Sequence, residues 1–293
     1  MRADRIFQVG AIFCRASIWG PSRKSHSEKE LRIFLARPLK LDLFTRSNAD
    51  NNVTMRFLDV SLPTPAENLA LDEALLETAE AADTPCETLR LWESDRPMVV
   101  VGRSSRLAEE LRLEVCRQFG VPVLRRISGG AAVLAGPGCL MYALVLSLER
   151  RPELRAIDQT HRMVLGAMAA GLGDLVPGLT LRGICDLTLQ GRKVSGNSVR
   201  VKRRHLLYHG TLLYGFPLDL IGQCLAMPPR EPDYRGARPH GAFVANLPLA
   251  AEEIRRAVRA AWGAEEVCDD WPRALTQRLV RQRYGRPEWN EQW

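Results

Sequence analysis

A lysine framed by small residues is the feature of this chain that could most clearly do chemistry. Lys193 stands in the run Gly-Arg-Lys-Val-Ser-Gly that ends at Gly196. Glycine has no side chain, so this run leaves room for a long ammonium side chain to lie along a bound ligand. Because an ammonium group attracts carboxylate and phosphate oxygens, the run predicts a site for an anionic or acyl-carrying ligand. The alternative is a solvent-exposed strand lysine.

A second glycine-containing segment lies upstream, where Ser128, Gly129 and Gly130 follow two arginines. Consecutive glycines let the backbone turn tightly and bring its N–H groups close to a ligand. Neighbouring residues on a strand face opposite sides, so one of Arg125 and Arg126 should point inward. A guanidinium pairs with a carboxylate or phosphate through two hydrogen bonds. Taken alone, the segment is equally consistent with an ordinary hairpin turn.

Several motifs occur in an order that resembles the biotin and lipoate protein ligase superfamily, and within it the lipoate-protein ligases and octanoyltransferases. The motifs are PAENLALDEALLE from Pro65, VVVGR from Val99, RRISGGAAV from Arg125, GPGCLMY from Gly136, CDLTLQGRKVSGN from Cys185, HGTLLY from His209 and YGRPEWN from Tyr284. The ordered set is much more specific than any one of its members.

This resemblance implies an enzyme that joins lipoic or octanoic acid, through an acyl-adenylate, to a lysine of a lipoyl acceptor domain or a glycine-cleavage H-type protein. Lys193 would be the catalytic residue that contacts the acyl carboxyl group and the phosphate. Asp186 would help to hold the phosphate and Mg²⁺, so ATP and Mg²⁺ are the implied cofactors. The implied substrate and adenylate contacts are Arg125, Arg126, Ser128, Gly129, Gly130, Asp186, Gly196 and His209.

One departure from the ligase pattern opens a second interpretation, because Cys185 stands where the family has an asparagine before the aspartate. In an octanoyltransferase, a cysteine thiolate attacks an acyl thioester on acyl carrier protein, and Lys193 would lower the thiol pKa. Such an enzyme needs no cofactor. A lone cysteine is more often buried and inert. Cys139 is a weaker candidate because it lies in a predicted apolar strand.

A third interpretation is a non-catalytic acyl-binding partner subunit. The family pattern Arg-Val-Thr-Asn-Leu, part of a loop over the adenylate, is replaced by the segment from Phe243 to Leu247, which lacks the arginine. Arg235 and Arg238 lie nearby and carry the same charge. We also expect no room for the second domain of many lipoate ligases, which implies an accessory ligase subunit or an activated acyl donor. The presence of Lys193 and Asp186 favours an enzyme.

Charge and composition favour a cytoplasmic enzyme over a nucleic-acid or membrane protein. The 293-residue chain has a formal net charge of +7, but residues 1–54 hold 10 Lys or Arg against 5 Asp or Glu. The remaining residues, 55–293, therefore carry +2, which gives little attraction for nucleic acid. No segment reaches the ~18 apolar residues of a membrane span. Seven widely spaced cysteines indicate a reducing compartment.

The predicted elements form an α+β domain, with helices packed on a mainly antiparallel mixed sheet. Residues 55–293 make up this domain, and residues 1–54 are predicted to be a disordered extension or to follow a misassigned start. Thr64 and Glu67 predict the start of a helix through a capping box. A single helix is expected from Leu107 to Phe119, and a turn at Gln190-Gly191 should pair the strands that carry Cys185 and Lys193.

Two basic segments have open interpretations. The run from Arg200 to Arg204 is either a solvated hairpin turn or a docking patch for an acidic acceptor domain. The Pro- and Arg-rich stretch from Met227 to His240 is either a lid or a surface connection.

Overall fold

The structure is a computed structural model that describes residues 54–292. The expectations for residues 1–53 lie outside this range. Eleven strands are described: β1 (Arg56–Asp59), β2 (Thr88–Trp92), β3 (Met98–Val101), β4 (Val123–Arg125), β5 (Val133–Ala135), β6 (Cys139–Ser147), β7 (Leu179–Arg182), β8 (Asp186–Leu189), β9 (Arg192–Val201), β10 (His205–Leu213) and β11 (Glu266–Val267).

The strands form two sheets. The larger has the order β11-β1-β2-β6-β10-β9-β8-β7, and the smaller has the order β4-β3-β5. In the larger sheet β1 runs parallel to β2 and to β11, and every other neighbouring pair is antiparallel. The predicted α+β fold with a mainly antiparallel mixed sheet is confirmed.

The helices pack against both sheets. They are α1 (Pro65–Ala81), α2 (Leu107–Glu110), α3 (Leu113–Gln118), α4 (Ile157–Gly173), α5 (Leu218–Cys224), α6 (His240–Phe243), α7 (Ala251–Ala261), α8 (Arg273–Leu279) and α9 (Pro287–Asn290). Helix α1 contacts β2, β6 and β10, and α4 contacts β7, β8 and α7. Within residues 54–292, no helix is long and apolar enough to cross a membrane.

Helix α1 begins as the sequence predicts. The Thr64 hydroxyl accepts a hydrogen bond from the Glu67 N–H, and the Glu67 carboxylate accepts one from the Thr64 N–H. These two bonds satisfy N–H groups that the first helical turn leaves without partners. The helix also carries Asp72, which is buried and pairs with the buried Arg90 of β2 at 2.6 Å. The pair ties the helix to the sheet.

The single helix predicted from Leu107 to Phe119 is wrong. The structure has two short helices, α2 and α3, separated at Leu111 and Arg112. Leu111 makes an isolated bridge to Leu225, and the Arg112 N–H donates to the Cys224 carbonyl. This tertiary pairing draws the backbone out of the helix, so it overrides the local helical preference of the segment.

The turn predicted at Gln190-Gly191 is confirmed, and it joins β8 to β9. Both residues have positive φ, 51° and 74°, as a two-residue hairpin turn of the primed type requires. A bulge follows it, because Thr188 pairs with Lys193 whereas Leu187 pairs with Ser195. The extra residue changes the direction of the β9 side chains that face the first residues of β8.

Candidate active site

The smaller sheet and the middle of the larger sheet enclose a cavity of about 700 Å³. Its walls come from strands β6, β9 and β10, from the loop after β4, from the β7–β8 turn and from residues 230–234. Seven of the residues expected at the site line this cavity: Arg126, Gly130, Cys185, Asp186, Lys193, Gly196 and His209. Side chains from motifs up to about eighty positions apart in the chain therefore meet in one place.

Lys193 and Asp186 form an ion pair within the cavity, with Nζ 2.7 Å from Oδ1. Asp186 is buried and lies opposite Gly196 across the β8–β9 pair. A Cβ on Gly196 would lie 2.9 Å from the Lys193 Cε and Nζ atoms, so the lysine side chain folds over the glycine. The small residue therefore makes the space that the ammonium group needs to reach Asp186.

Tyr234 holds the other oxygen of the same carboxylate. Its phenol donates a hydrogen bond to Asp186 Oδ2 at 2.7 Å. Burial and the nearby carboxylate raise the pKa of Tyr234, which keeps the phenol protonated as a donor. Both oxygens of Asp186 are thus bonded by groups that also line the cavity, and a ligand that contacts Asp186 competes with Lys193 or Tyr234.

Arg126 points towards the cavity and shapes the two-glycine loop. Its guanidinium donates to the carbonyls of Gly129 and Ala131, at 2.5 and 3.0 Å, and to the carbonyl of Val100. Burial lowers the pKa of Arg126 to about 10, which leaves it charged at neutral pH. The Ala132 N–H of the same loop donates to the Glu110 carboxylate at 2.6 Å.

His209 is fixed by partners on two sides. Its Nε2 lies 2.5 Å from the Ser128 hydroxyl, which also accepts a hydrogen bond from Arg126. Its Nδ1 lies 3.9 Å from Asp72. Ser128 is buried and lies behind the histidine, so it orients the ring rather than lining the cavity.

Arg125 does not reach the cavity. It is fully buried, and its guanidinium donates to backbone carbonyls of the Gly102–Ser105 turn and of the segment around Asn290. The two arginines therefore point to opposite sides, as the strand alternation predicts. Gly129 lies at the rim, where its carbonyl accepts hydrogen bonds from Arg126 and Ser198.

Cys185 lines the cavity immediately before β8. Burial raises the pKa of Cys185 and Asp186 raises it further, and these effects outweigh the opposite effect of Lys193. Lys193 is paired with Asp186 instead. Cys139 is fully buried in β6, and burial raises its pKa to about 12, which leaves it a neutral thiol.

Asn197 and Tyr234 line the cavity and are absent from the set predicted by sequence. Asn197 accepts a hydrogen bond from the Tyr142 phenol and donates to the Cys185 carbonyl at 2.8 Å. A Cβ on Gly210 would overlap the Asn197 amide oxygen, so that glycine is needed for the amide to lie across β10. Asn197 closes the motif CDLTLQGRKVSGN and could have been found there. Tyr234 carries no such local signal.

The Met227–His240 stretch crosses one side of the cavity. Arg230, Glu231, Pro232, Asp233 and Tyr234 line it. The stretch is held beyond them by Arg238, which donates to the Gly191 carbonyl at 3.1 Å. Arg235 and Arg238 stack on the Phe243 ring, with Arg235 at 4.5 Å from the centroid. Arg235 also borders a second, smaller cavity.

A smaller cavity of about 140 Å³ adjoins the large one at Lys193, Gly196 and Thr211. Its far walls are mostly apolar, formed by Leu134, Leu213, Ile221, Leu225 and Phe243. The combined space is thus polar at the Lys193–Asp186 pair and apolar in one branch.

The basic run from Arg200 to Arg204 contacts α1 through one ion pair and several hydrogen bonds. Lys202 pairs with Glu77, and Glu80 accepts hydrogen bonds from the N–H groups of Arg203 and Arg204. The Arg204 guanidinium donates to the Ala82 carbonyl. These contacts fit the hairpin-turn interpretation.

The family model of the lipoyl protein ligase A/B catalytic domain matches residues 64–262. The chain belongs to this family. The matched residues include the strands and loops that line the large cavity and the Met227–His240 stretch. The resemblance expected from the motifs is confirmed, and with it membership of a family of lipoate-protein ligases and octanoyltransferases.

The names of two curated relatives of this chain give two different activities, octanoyl transfer and lipoate ligation. Octanoyltransferase LipM of Carboxydothermus hydrogenoformans is 27% identical over 265 residues, which cover 80% of this chain and 98% of the relative. Lipoate–protein ligase 1 of Staphylococcus aureus is 27% identical over 251 residues, which cover 80% of this chain and 73% of the relative.

Solved structures show the fold. The bi-partite lipoate protein ligase of Thermoplasma acidophilum superposes with a TM-score of 0.66 at 21% identity, covering 82% of this chain and 96% of that one. A lipoate-protein ligase A bound with ATP gives the same TM-score at 21% identity, covering 82% and 99%.

Proposed function

We propose that this chain attaches a lipoyl or octanoyl group to a lysine of an acceptor domain through an acyl-adenylate. The observation that carries the proposal is the Lys193–Asp186 ion pair, 2.7 Å long, in a cavity with an apolar branch. An apolar branch suits a medium-length acyl chain, and the paired charges suit a carboxylate and a phosphate at its end.

In the first step, a carboxylate oxygen of the acid attacks the α-phosphorus of ATP, and pyrophosphate leaves. Negative charge moves onto the phosphate oxygens as the new bond forms. The ammonium group of Lys193 is placed to stabilise that charge once it leaves Asp186.

In the second step, the amine of an acceptor lysine attacks the acyl carbonyl, and AMP leaves. A new amide forms and the amine loses a proton. Lys193 stabilises the developing oxyanion and the departing phosphate, because both form beside the same ammonium group. The acceptor proposed from the family resemblance is a lipoyl domain or a glycine-cleavage H-type protein.

The residues of the cavity fit Mg²⁺ bound with a nucleotide. Magnesium is commonly held by one or two carboxylates together with substrate phosphates, and Asp186 presents such a carboxylate. When bound, the ion would neutralise phosphate charge. Lys193 and Tyr234 each bond one oxygen of Asp186, so the ion would compete with them or use the remaining lone pairs of the carboxylate.

The environment of Cys185 supports ligation over thioester transfer. A transferase nucleophile has to be a thiolate, but burial and Asp186 raise the pKa of this thiol. The alternative remains an octanoyltransferase that uses Cys185 and Lys193 and needs no cofactor. It is favoured by the position of Cys185 on the cavity wall and by the relatives named octanoyltransferase.

We also propose a cytoplasmic location. All six cysteines between residues 54 and 292 are free thiols, which is typical of a reducing compartment.

The direct test is intact-mass analysis of an apo lipoyl domain incubated with the purified chain. One reaction contains octanoic or lipoic acid with ATP and Mg²⁺, and the other contains octanoyl acyl carrier protein alone. We expect the acyl mass shift in the first reaction only. A shift in the second reaction only would establish the transferase.

If neither reaction modifies the acceptor, the chain needs an accessory ligase subunit or only binds the acyl group. Calorimetry can then measure whether octanoic acid binds to the purified chain. Binding would indicate an incomplete enzyme, and no binding would indicate an inactive preparation.

A further inference from the structure

A single buried guanidinium joins the C-terminal segment to the base of the cavity. The six carbonyl oxygens that accept hydrogen bonds from Arg125 belong to Gly102, Arg103, Ser105, Trp289, Asn290 and Gln292. Half of them lie in the turn after β3, and half lie at the end of α9. Burial lowers the pKa of Arg125, but an arginine remains charged at neutral pH, so the cation is held mainly by carbonyl dipoles.

The C-terminal segment also closes the edge of β4. The Trp289 indole donates to the Arg125 carbonyl at 2.8 Å, and the Arg125 N–H donates to the Asn290 side-chain oxygen at 3.0 Å. Strand β4 is an edge strand of the smaller sheet, so these two side chains take the bonds that a further strand would make. Asn290 is held in turn by the Tyr284 carbonyl.

The turn on the other side of Arg125 contacts the two-glycine loop. The Arg103 N–H donates to the Ser128 carbonyl at 2.8 Å, and the Ser105 hydroxyl donates to the Gly130 carbonyl at 3.3 Å. A Cβ on Gly102 would overlap the Gly130 carbonyl oxygen, so the two backbones are in close contact. A continuous set of hydrogen bonds therefore runs from α9 through Arg125 to a loop that lines the cavity.

We infer that residues 287–292 position the two-glycine loop, and that Arg125, Trp289 and Asn290 set the affinity of the cavity for its ligand without touching it. The identity of that ligand rests on the proposed function. The YGRPEWN motif is explained by this role, since its Trp and Asn supply the contacts to β4. None of the three is a catalytic residue.

Hydrogen–deuterium exchange of the full chain tests the positioning itself. In Asn290→Ala, we expect amides of residues 101–106 and 124–133 to exchange about fivefold faster or more, as loss of buried hydrogen bonds predicts. Helix α7, which is remote from this contact, should be unchanged. The matched control is Glu288→Gln, on the same helix but exposed, which should leave all of these segments unchanged.

Two further variants keep the test informative if Asn290→Ala folds poorly. Trp289→Phe removes one indole donor and keeps an aromatic ring, and Arg125→Lys keeps the charge but cannot reach both groups of carbonyls. Each should accelerate exchange in the same two segments. Exchange that is unchanged in all variants, or that rises equally in α7, would overturn the inference, because it would show either no link or a global loss of stability.

A kinetic readout separates positioning from catalysis. With octanoic acid and ATP, or with octanoyl carrier protein if the wild type uses it, Trp289→Phe should raise the donor KM about tenfold and change kcat less than threefold. A fall in kcat at constant KM would contradict the positioning role. If the wild-type chain modifies no acceptor, the proposed function fails, while the exchange experiment still decides this inference.

Discussion

For single residues, the proposed chemistry depends on whether Lys193 pairs with Asp186 or acts on the thiol of Cys185. The ammonium group is paired with Asp186, and its lowering effect on the pKa of Cys185 is smaller than the raising effect of burial. A lysine that served mainly to activate a thiolate would have to outweigh the burial of that thiol. In this structure burial prevails, so the lysine is better suited to a carboxylate and a phosphate.

We predict that Lys193→Ala loses activity by a hundredfold or more, on the order reported for loss of one charge-stabilising donor. The measurement is the rate of acyl transfer to an apo lipoyl domain. Lys202→Ala is the control, because Lys202 pairs with Glu77 outside the cavity. Equal rates for Lys193→Ala and the control would contradict the role of Lys193.

Cys185→Ser should retain activity within about threefold, since a neutral serine replaces a neutral thiol of similar size. The same transfer assay checks this. Loss of all activity in Cys185→Ser, with a normal melting temperature, would instead support the octanoyltransferase.

Some of these residues could be predicted because their motifs are local. Asp186, Lys193 and Gly196 lie on one hairpin, so a short stretch of sequence brings them together. Strand alternation predicts that one of Arg125 and Arg126 faces inward, but it is symmetric and does not say which. That choice depends on the C-terminal segment, more than 160 positions away.

At the scale of elements, close backbone contact controls the shape of the cavity. The turn after β3 touches the two-glycine loop through Gly102, which has no room for a Cβ, whereas a Cβ on Gly129 would meet nothing within 4 Å. The sequence does not distinguish Gly102 from Gly129, but the packing requires a glycine only at Gly102 of these two.

Gly102→Ala should therefore displace the loop and reduce acyl transfer by up to about a hundredfold, since misplacement by an ångström can cost that much. Gly129→Ala is the matched control and should stay within about threefold of the wild type. Both are checked by kcat/KM for the acyl donor. Full activity in Gly102→Ala would show that the loop does not need this contact.

Long-range pairing also explains the helix that was predicted wrongly. Leu107 to Phe119 has a helical pattern, but the bridge from Leu111 to Leu225 interrupts it. Tyr234 was missed for the same kind of reason, because its bond to Asp186 spans 48 positions and has no local signature.

At the scale of the whole molecule, the alternation of helices and strands was enough to predict the α+β class. The order of the strands was not, since it depends on which apolar faces meet. The fold also buries His161 and His205 and half-buries His240, and burial lowers the pKa of each. His205 is nearly inaccessible, and within the described residues neither ring nitrogen has a hydrogen-bond partner.

Stability should therefore fall as the pH drops below the ordinary histidine pKa of about 6.5. The unfolded chain binds more protons there than the folded chain, because the pKa values of these histidines are lowered by folding, so protonation favours unfolding. We expect the melting temperature to decrease between pH 7.5 and pH 5.5, and to decrease less in His205→Phe. An identical pH dependence in the two proteins would contradict the assignment of this effect to His205.

The role proposed for the Lys193–Asp186 pair is the formation of an acyl-adenylate. The exchange of labelled pyrophosphate into ATP, with Mg²⁺ and without an acceptor domain, tests this role. We predict exchange that depends on octanoic or lipoic acid, persists in Cys185→Ser and disappears in Lys193→Ala. Absence of acid-dependent exchange, together with an acyl mass on Cys185 after incubation with octanoyl acyl carrier protein, would contradict the account.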